Sequence, residues 1–253
     1  MSRHLSFRSG NPALNKNSFK DTISDFQRGP VTRNESMTIK GTVDKTAFSL
    51  LLMIGSGYYV YTEQIVSLIL PGCLLGLAVA IFTIFKKQYS PITVPIYALF
   101  QGLFLGGISF MYGQMYEGIV YNAVLLTVTI LLSLLLVYRS GLIKPTENFK
   151  LGIFAATGGI ALFYIISFVA SFFGGGLAIF DPTNGSMTSI LVSLFIVIIA
   201  SLNLVLDFDF IEEASENGAP KYMEWYGAFG LLVTLVWLYL EILRLLAKIN
   251  SRD

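Results

Sequence analysis

The amino-acid sequence predicts an all-α, polytopic membrane protein with seven transmembrane helices. Of its 253 residues, 54% are hydrophobic and only 13% are charged, and the mean hydropathy is +0.67. A typical soluble domain is about 25% charged. Apolar runs of roughly 17–25 residues recur along the chain, and this length crosses about 30 Å of hydrocarbon. Composition and run length together exclude an ordinary soluble domain.

The polar start of the chain separates a tail from the membrane region. Residues 1–44 are mixed in charge, and we interpret them as a flexible cytoplasmic N-terminal tail. Residues 45–253 form the predicted seven-helix transmembrane domain. Its seven apolar runs are 46–62, 65–85, 92–115, 119–138, 151–173, 188–210 and 226–249.

Lys and Arg are distributed unevenly between the two ends of these spans, which predicts the orientation. Eight of them precede the first span, and others follow the second, fourth and sixth spans. The loops after the first, third and fifth spans contain none. Because cytoplasmic loops are enriched in Lys and Arg, the N-terminus is predicted to be cytoplasmic. No Pro or Gly follows Gly230 in the last run, so we expect a full seventh span and an external C-terminus.

One carboxyl group lies inside the last apolar run. Near the middle of a bilayer, Glu241 would cost about 2.5–3.5 kcal/mol if it faced lipid. Arg244 follows three residues later on the same helical face, so a local structural ion pair is one interpretation. A proton or cation site that uses Glu241 is the other.

A second acidic group lies at the predicted cytoplasmic end of span six. Asp207 follows Asn203 by four residues, so both lie on one helical face, and Asp209 comes next. Burial in a helix bundle favours the neutral form of a carboxyl group, so Asp207 is a candidate pH sensor. The alternative places Asp207 and Asp209 in the headgroup layer, solvated like Glu212, Glu213, Glu216 and Glu224.

The sequence offers little support for an enzyme or a resident cofactor. It has one histidine, His4, and one cysteine, Cys73, and it contains no motif of a hydrolase or phosphate-binding loop. We therefore predict no catalytic residue, no cofactor and no metal site beyond transient passage of calcium. The net charge of +1 gives no field for nucleic acid.

Small residues recur four apart in three of the spans. Gly72 and Gly76, Gly102 and Gly106, and Ala155 and Gly159 follow this spacing. Such pairs let helix backbones approach closely, so all three are predicted to pack against a neighbouring helix.

Several stretches of the sequence carry a family resemblance, and together they cover nearly the whole chain. They are residues 11–14, 37–46, 97–107, 138–141, 155–160 and 206–246. In these stretches the chain resembles the Bax inhibitor/YccA-like family of membrane proteins, in particular a bacterial branch. The resemblance implies a bacterial inner-membrane location and a central C-terminal helix wrapped by the other six. It also implies a pH-sensitive calcium leak, in which Asp207 and Glu241 match the helix-six and helix-seven acids.

Two features depart from the family pattern. Asp207 and Glu241 are 34 residues apart, and a turn near residues 217–219 would leave them roughly 18 Å apart in depth. Gln101 stands where the resemblance implies Glu, so this side chain can form hydrogen bonds but cannot titrate.

Two functions follow as hypotheses. The first is a pH-modulated cation leak lined by Asp207, Asn203 and Glu241, with Asp209, Gln101 and Arg244 close to the path. The second is a non-conducting regulator that binds other membrane proteins, such as a protease or stress-response complex, through the tail or the acidic segment 212–224. The lipid bilayer is the one partner common to both.

Overall fold

The computed structural model describes residues 36–143, 145–173 and 177–252. In these residues the chain forms long α-helices joined by short loops: α1 (Ile39–Glu63), α2 (Ile69–Phe85), α3 (Ser90–Met115), α4 (Ile119–Arg139), α5 (Glu147–Ser171), α6 (Met187–Glu216) and α7 (Met223–Asn250). Short 3₁₀ turns precede α2 (Val66–Leu68) and α3 (Lys87–Tyr89), and another lies between α5 and α6 (Ala178–Phe180). The all-α prediction is confirmed.

The first helix begins earlier than the sequence pattern suggested. Thr38 caps its N-terminus by accepting a hydrogen bond from the Gly41 amide, so residues 39–44 are helical. The rest of the predicted flexible tail, residues 1–35, lies outside the described residues.

Six of the helices, α2 to α7, are long and apolar enough to cross a membrane. The first helix is not among them, because Gly and Ser residues and then Tyr58 and Tyr59 interrupt its apolar run. Its role as a seventh span therefore stays a prediction. The last helix is the most buried of the six, because 67% of its most apolar 18-residue stretch is buried inside the protein.

The chain divides into two compact units. The N-terminal unit contains residues 36–115 together with Asp207–Val233, and the C-terminal unit contains Tyr116–Leu206 together with residues 234–252. Each of α6 and α7 contributes one part to each unit.

In the N-terminal unit, α3 packs against both α1 and α2 through small residues. A Cβ atom added at Gly106 would collide with the backbone of Gly57 on α1. A Cβ atom added at Gly72 would lie 2.8 Å from the Phe104 amide nitrogen. The small-residue prediction is confirmed for α2 and α3, because no larger side chain fits at these crossings.

The C-terminal unit is built around Ile160, Ile196 and Ile199, with Trp237 packed against them. The small-residue prediction for α5 is wrong in this unit. Ala155 and Gly159 are exposed, and a Cβ atom added at Gly159 would meet no atom within 4 Å among the described residues. Spacing alone therefore does not show which face of a helix meets another helix.

The last helix is continuous over 28 residues, as the absence of Pro and Gly after Gly230 predicted. Its C-terminal end lies beside the loop between α5 and α6. A Cβ atom added at Gly185 in that loop would come within 3.1 Å of Arg252 Cα. The end of α7 therefore lies next to this loop, and the external side of the C-terminus stays a prediction.

Candidate functional site

The carboxylate of Glu241 lies in a closed set of polar contacts inside the C-terminal unit. Its neighbour on α7, Arg244, donates from Nη1 to both carboxylate oxygens at 3.0 Å. Tyr164 on α5 donates its hydroxyl to Glu241 Oε1 at 2.5 Å. The same hydroxyl accepts from Arg244 Nη1 at 2.9 Å. The three side chains, Glu241, Arg244 and Tyr164, thus hydrogen-bond to one another, and we call them the Glu241 cluster.

Burial explains why Glu241 needs these partners. Only 2% of its surface is exposed, and an isolated buried carboxylate is strongly disfavoured. The guanidinium of Arg244 lies 5.5 Å from the Tyr164 ring centre and 5.8 Å from that of Phe180. These aromatic faces add cation–π stabilisation to the ion pair. The contacts of Glu241 therefore match the local ion pair with Arg244, one of the two predicted interpretations.

Asp207 differs from Glu241 in its surroundings. Its side chain is completely buried in the part of α6 that belongs to the N-terminal unit. It has at least one polar or electrostatic partner there. Asp209, two residues further along, is half-buried. The interpretation that both aspartates are solvated is wrong for Asp207.

Asn203 lies one turn before Asp207 on α6, in the C-terminal unit. Its amide nitrogen donates to Thr157 Oγ1 and to the Ile199 carbonyl, both at 2.8 Å. Its carbonyl oxygen, Oδ1, is buried without a hydrogen-bond partner among the described residues. An unsatisfied buried acceptor costs about 1–3 kcal/mol, so this oxygen would gain from a water molecule or a cation.

Gln101 belongs to the N-terminal unit. Its side chain on α3 is half-buried, and a Cβ atom added at Gly76 on α2 would lie 2.9 Å from its Oε1. The structure thus places Gln101 at the contact between α2 and α3. Its predicted role beside an ion path stays a prediction, as does the 18 Å separation between Asp207 and Glu241.

Comparison with known proteins identifies the family. A family model described as Bax inhibitor 1 like matches residues 11–251. The chain belongs to this family. Searches of curated proteins and of solved structures found no match. With its six long apolar helices, the chain is an integral membrane protein of the Bax inhibitor 1 like family.

Sequence reasoning missed one buried acid of this Bax inhibitor 1 like protein. Glu224, at the start of α7, was expected in solvent but is fully buried in the N-terminal unit. Its Oε1 accepts from the Thr38 amide at 3.0 Å, the Thr38 hydroxyl at 2.8 Å and Lys221 Nζ at 2.7 Å. Lys45 donates to the other oxygen. We call Glu224, Thr38, Lys45 and Lys221 the Glu224 cluster.

Only part of the Glu224 cluster could have been found from the sequence. Lys221 precedes Glu224 by three residues, and this spacing predicts a contact on one helical face. Thr38 and Lys45 precede Glu224 by 186 and 179 residues, and no local pattern joins them to it. A Cβ atom at Gly41 would collide with the Glu224 carboxylate, which explains the small residue there.

Among residues 36–143, 145–173 and 177–252, no group of three or more His, Cys, Asp or Glu side chains is arranged to hold a metal ion.

Proposed function

We propose that this protein is a pH-modulated cation leak, with calcium as the permeating ion and Asp207 as the group that changes charge. The main support for this proposal is the complete burial of Asp207 in a membrane-spanning helix of a Bax inhibitor 1 like protein. Ionisable side chains inside membrane spans are costly to keep there and commonly mark ion or proton pathways.

The structure supports different roles for the two acids. Glu241 has a guanidinium and a hydroxyl as partners, so its negative charge is already compensated. Such a group is suited to hold Arg244 and Tyr164 in place. Asp207 is completely buried in a membrane-spanning helix, where ionisable groups commonly mark ion or proton pathways. We therefore assign the pH response to Asp207.

Asn203 Oδ1 supports a polar path within the C-terminal unit. A carbonyl-type oxygen without a hydrogen-bond donor is the kind of ligand that hard cations and their water shells use. We propose that this oxygen contacts water or the passing ion, while the Asn203 amide stays bonded to Thr157.

The proposal includes a topology. We place α1 as a seventh span, the N-terminus in the cytoplasm and the protein in a bacterial inner membrane. The distribution of Lys and Arg supports this orientation. The deep burial of α7 is consistent with the central position that the family resemblance implies for the last helix.

A flux assay in liposomes tests the proposal. The full-length protein is reconstituted, and calcium entry is followed with an enclosed indicator between pH 5.5 and 8.5. Asp207→Asn mimics the protonated acid, so its flux should be independent of pH and equal to the wild-type flux at the acid end. Glu241→Gln should keep a pH response if its role is structural.

Asp209→Asn is the matched control, since it makes the same chemical change two residues away on a half-buried side chain. It should retain the wild-type pH profile. Equal flux in wild type, Asp207→Asn and protein-free liposomes at every pH would refute the leak. The non-conducting regulator would then be the better hypothesis.

A further inference from the structure

Lys248, near the end of α7, is a fully buried cation in the C-terminal unit. Its Nζ donates to the Ile179 carbonyl at 2.5 Å and to Ser193 Oγ at 2.8 Å, with the Ser189 carbonyl further away at 3.4 Å. No carboxylate forms an ion pair with it in the described part of the chain. All its contacts are neutral oxygens.

This environment is unusual for a buried lysine. A buried ammonium ordinarily has a carboxylate as partner, because removing a charge from water is costly. An ammonium carries three N–H donors, and here three oxygens meet them. A shell of carbonyl and hydroxyl oxygens also replaces the hydration shell of monovalent cations in ion-binding proteins. The surroundings of Lys248 Nζ therefore have the chemistry of a monovalent cation site.

The three oxygens are held in place by the fold as well as by the lysine. Ser189 and Ser193 lie one turn apart on α6, and both are buried. The Ser189 hydroxyl donates to the Ile179 carbonyl at 3.0 Å, which ties the loop to the helix. Because these contacts do not involve Lys248, the oxygens should stay together when its side chain is removed.

Charged groups near Lys248 Nζ both favour and oppose a cation at this position. Burial and the charge of Arg244 oppose a cation at this position, whereas the charges of Glu241 and Asp181 favour it. The remaining attraction comes from the dipoles of the three oxygens.

We propose that Ile179 O, Ser189 O and Ser193 Oγ form a binding site for a small monovalent cation that carries N–H donors. In the native chain the ammonium of Lys248 fills this site as a tethered, non-exchangeable cation. We call it the tethered-cation site.

The tethered-cation site also connects to the Glu241 cluster. Ile179 is followed by Phe180, whose ring centre lies 4.7 Å from that of Tyr164 and 5.8 Å from the guanidinium carbon of Arg244. Lys248 and the Ser189 hydroxyl both donate to the Ile179 carbonyl, in the turn that leads to Phe180 beside Arg244.

Chemical rescue tests the site directly. Lys248→Ala leaves the three oxygens without their donor, and we expect the Tm of the purified full-length protein to fall by about 5 °C or more, as followed by tryptophan fluorescence. Methylammonium chloride should recover most of this loss and should reach saturation. Tetramethylammonium chloride, which has the charge without N–H donors, should not recover it at the same ionic strength.

Two controls separate the site from general salt effects. Wild type has its site filled, so its Tm should respond equally to both salts. Lys150→Ala removes a lysine that lies 4.0 Å from the Glu147 carboxylate, and it should show no preference for methylammonium. Equal effects of the two salts on Lys248→Ala would overturn the proposal.

Lys248→Met retains the length of the side chain and removes its charge and donors. It should lose stability like Lys248→Ala, but methylammonium should not rescue it because the side chain fills the space. If Lys248→Ala cannot be purified in a folded state, the Tm of Lys248→Met tests the proposal instead. A Tm equal to that of wild type would overturn the proposal, and a fall of about 5 °C or more would support it.

Discussion

The Glu224 cluster gives a sharp prediction for stability. In Glu224→Gln the side-chain carbonyl can still accept from Thr38, but the new NH₂ group faces the ammonium of Lys45. The lost charged hydrogen bond to Lys45, whose side chain is 21% exposed, is worth about 1.5–3 kcal/mol. The contact to Lys221 adds at most about 1 kcal/mol, because that side chain is 50% exposed and screened by water.

The expected loss is therefore about 1.5–4 kcal/mol. For a chain of this size, each kcal/mol lowers Tm by about 2–4 °C, which predicts a fall of roughly 3–16 °C. Thermal unfolding of the purified protein measures it. Glu216→Gln is the matched control, since Glu216 is exposed at the end of α6, and it should change stability by less than about 0.5 kcal/mol.

A double-mutant cycle then tests the assigned partner. Lys45→Met should lower Tm on its own, and the combination with Glu224→Gln should lower it by less than the sum of the two single changes. A Tm for Glu224→Gln within about 1 °C of the Glu216→Gln control would refute the reasoning. Fully additive effects would show that Lys45 is not the energetically important partner.

Three further predictions concern other parts of the molecule. Arg244→Met leaves the Glu241 carboxylate buried and unpaired and should cost about 3–5 kcal/mol in thermal unfolding, whereas adding Glu241→Gln should recover part of that loss. Gly106→Ala should destabilise the protein because its Cβ meets the backbone of α1, while Gly159→Ala, on an open surface, should be neutral or stabilising by up to about 1 kcal/mol in the same assay. Thr183 donates from its hydroxyl and its amide to the Asp181 carboxylate, and these two hydrogen bonds hold the pKa of that carboxyl below its usual range. The Asp181 carboxylate therefore adds its full contribution to the free energy of unfolding above about pH 4, and this contribution disappears as the pH falls through the lowered pKa of the folded state. In an acid titration, the stability difference between wild type and Asp181→Ala should shrink accordingly.

The number and approximate positions of the long helices could be predicted from the sequence, although α1 begins seven residues earlier and α6 ends six residues later than the apolar runs indicated. The third and fourth apolar runs, for example, coincide with α3 and α4 to within two residues at each end. Run length and hydropathy suffice because the backbone has to be helical wherever it crosses hydrocarbon. The partner of Glu241 on its own helix, Arg244, also followed from spacing.

Contacts between distant parts of the chain could not be predicted in this way. Tyr164 reaches Glu241 across 77 residues, and Ser193 reaches Lys248 across 55. Whether a small residue such as Gly159 meets a helix or an open surface depends on the rotation of that helix, which its own sequence does not define. The burial of Asp207 likewise depends on which elements pack around the end of α6.

The Glu224 cluster also has a consequence for how the protein is made. Thr38 and Glu224 are separated by 186 residues. At a synthesis rate of about 5–20 residues per second, Thr38 leaves the ribosome roughly 10–40 s before its acidic partner exists. During that interval the start of α1 has only its local cap. Assembly of the first helix is therefore completed only when the last helix is inserted, so a chain truncated before α7 would expose a characteristic, incompletely docked N-terminal segment to quality-control proteases.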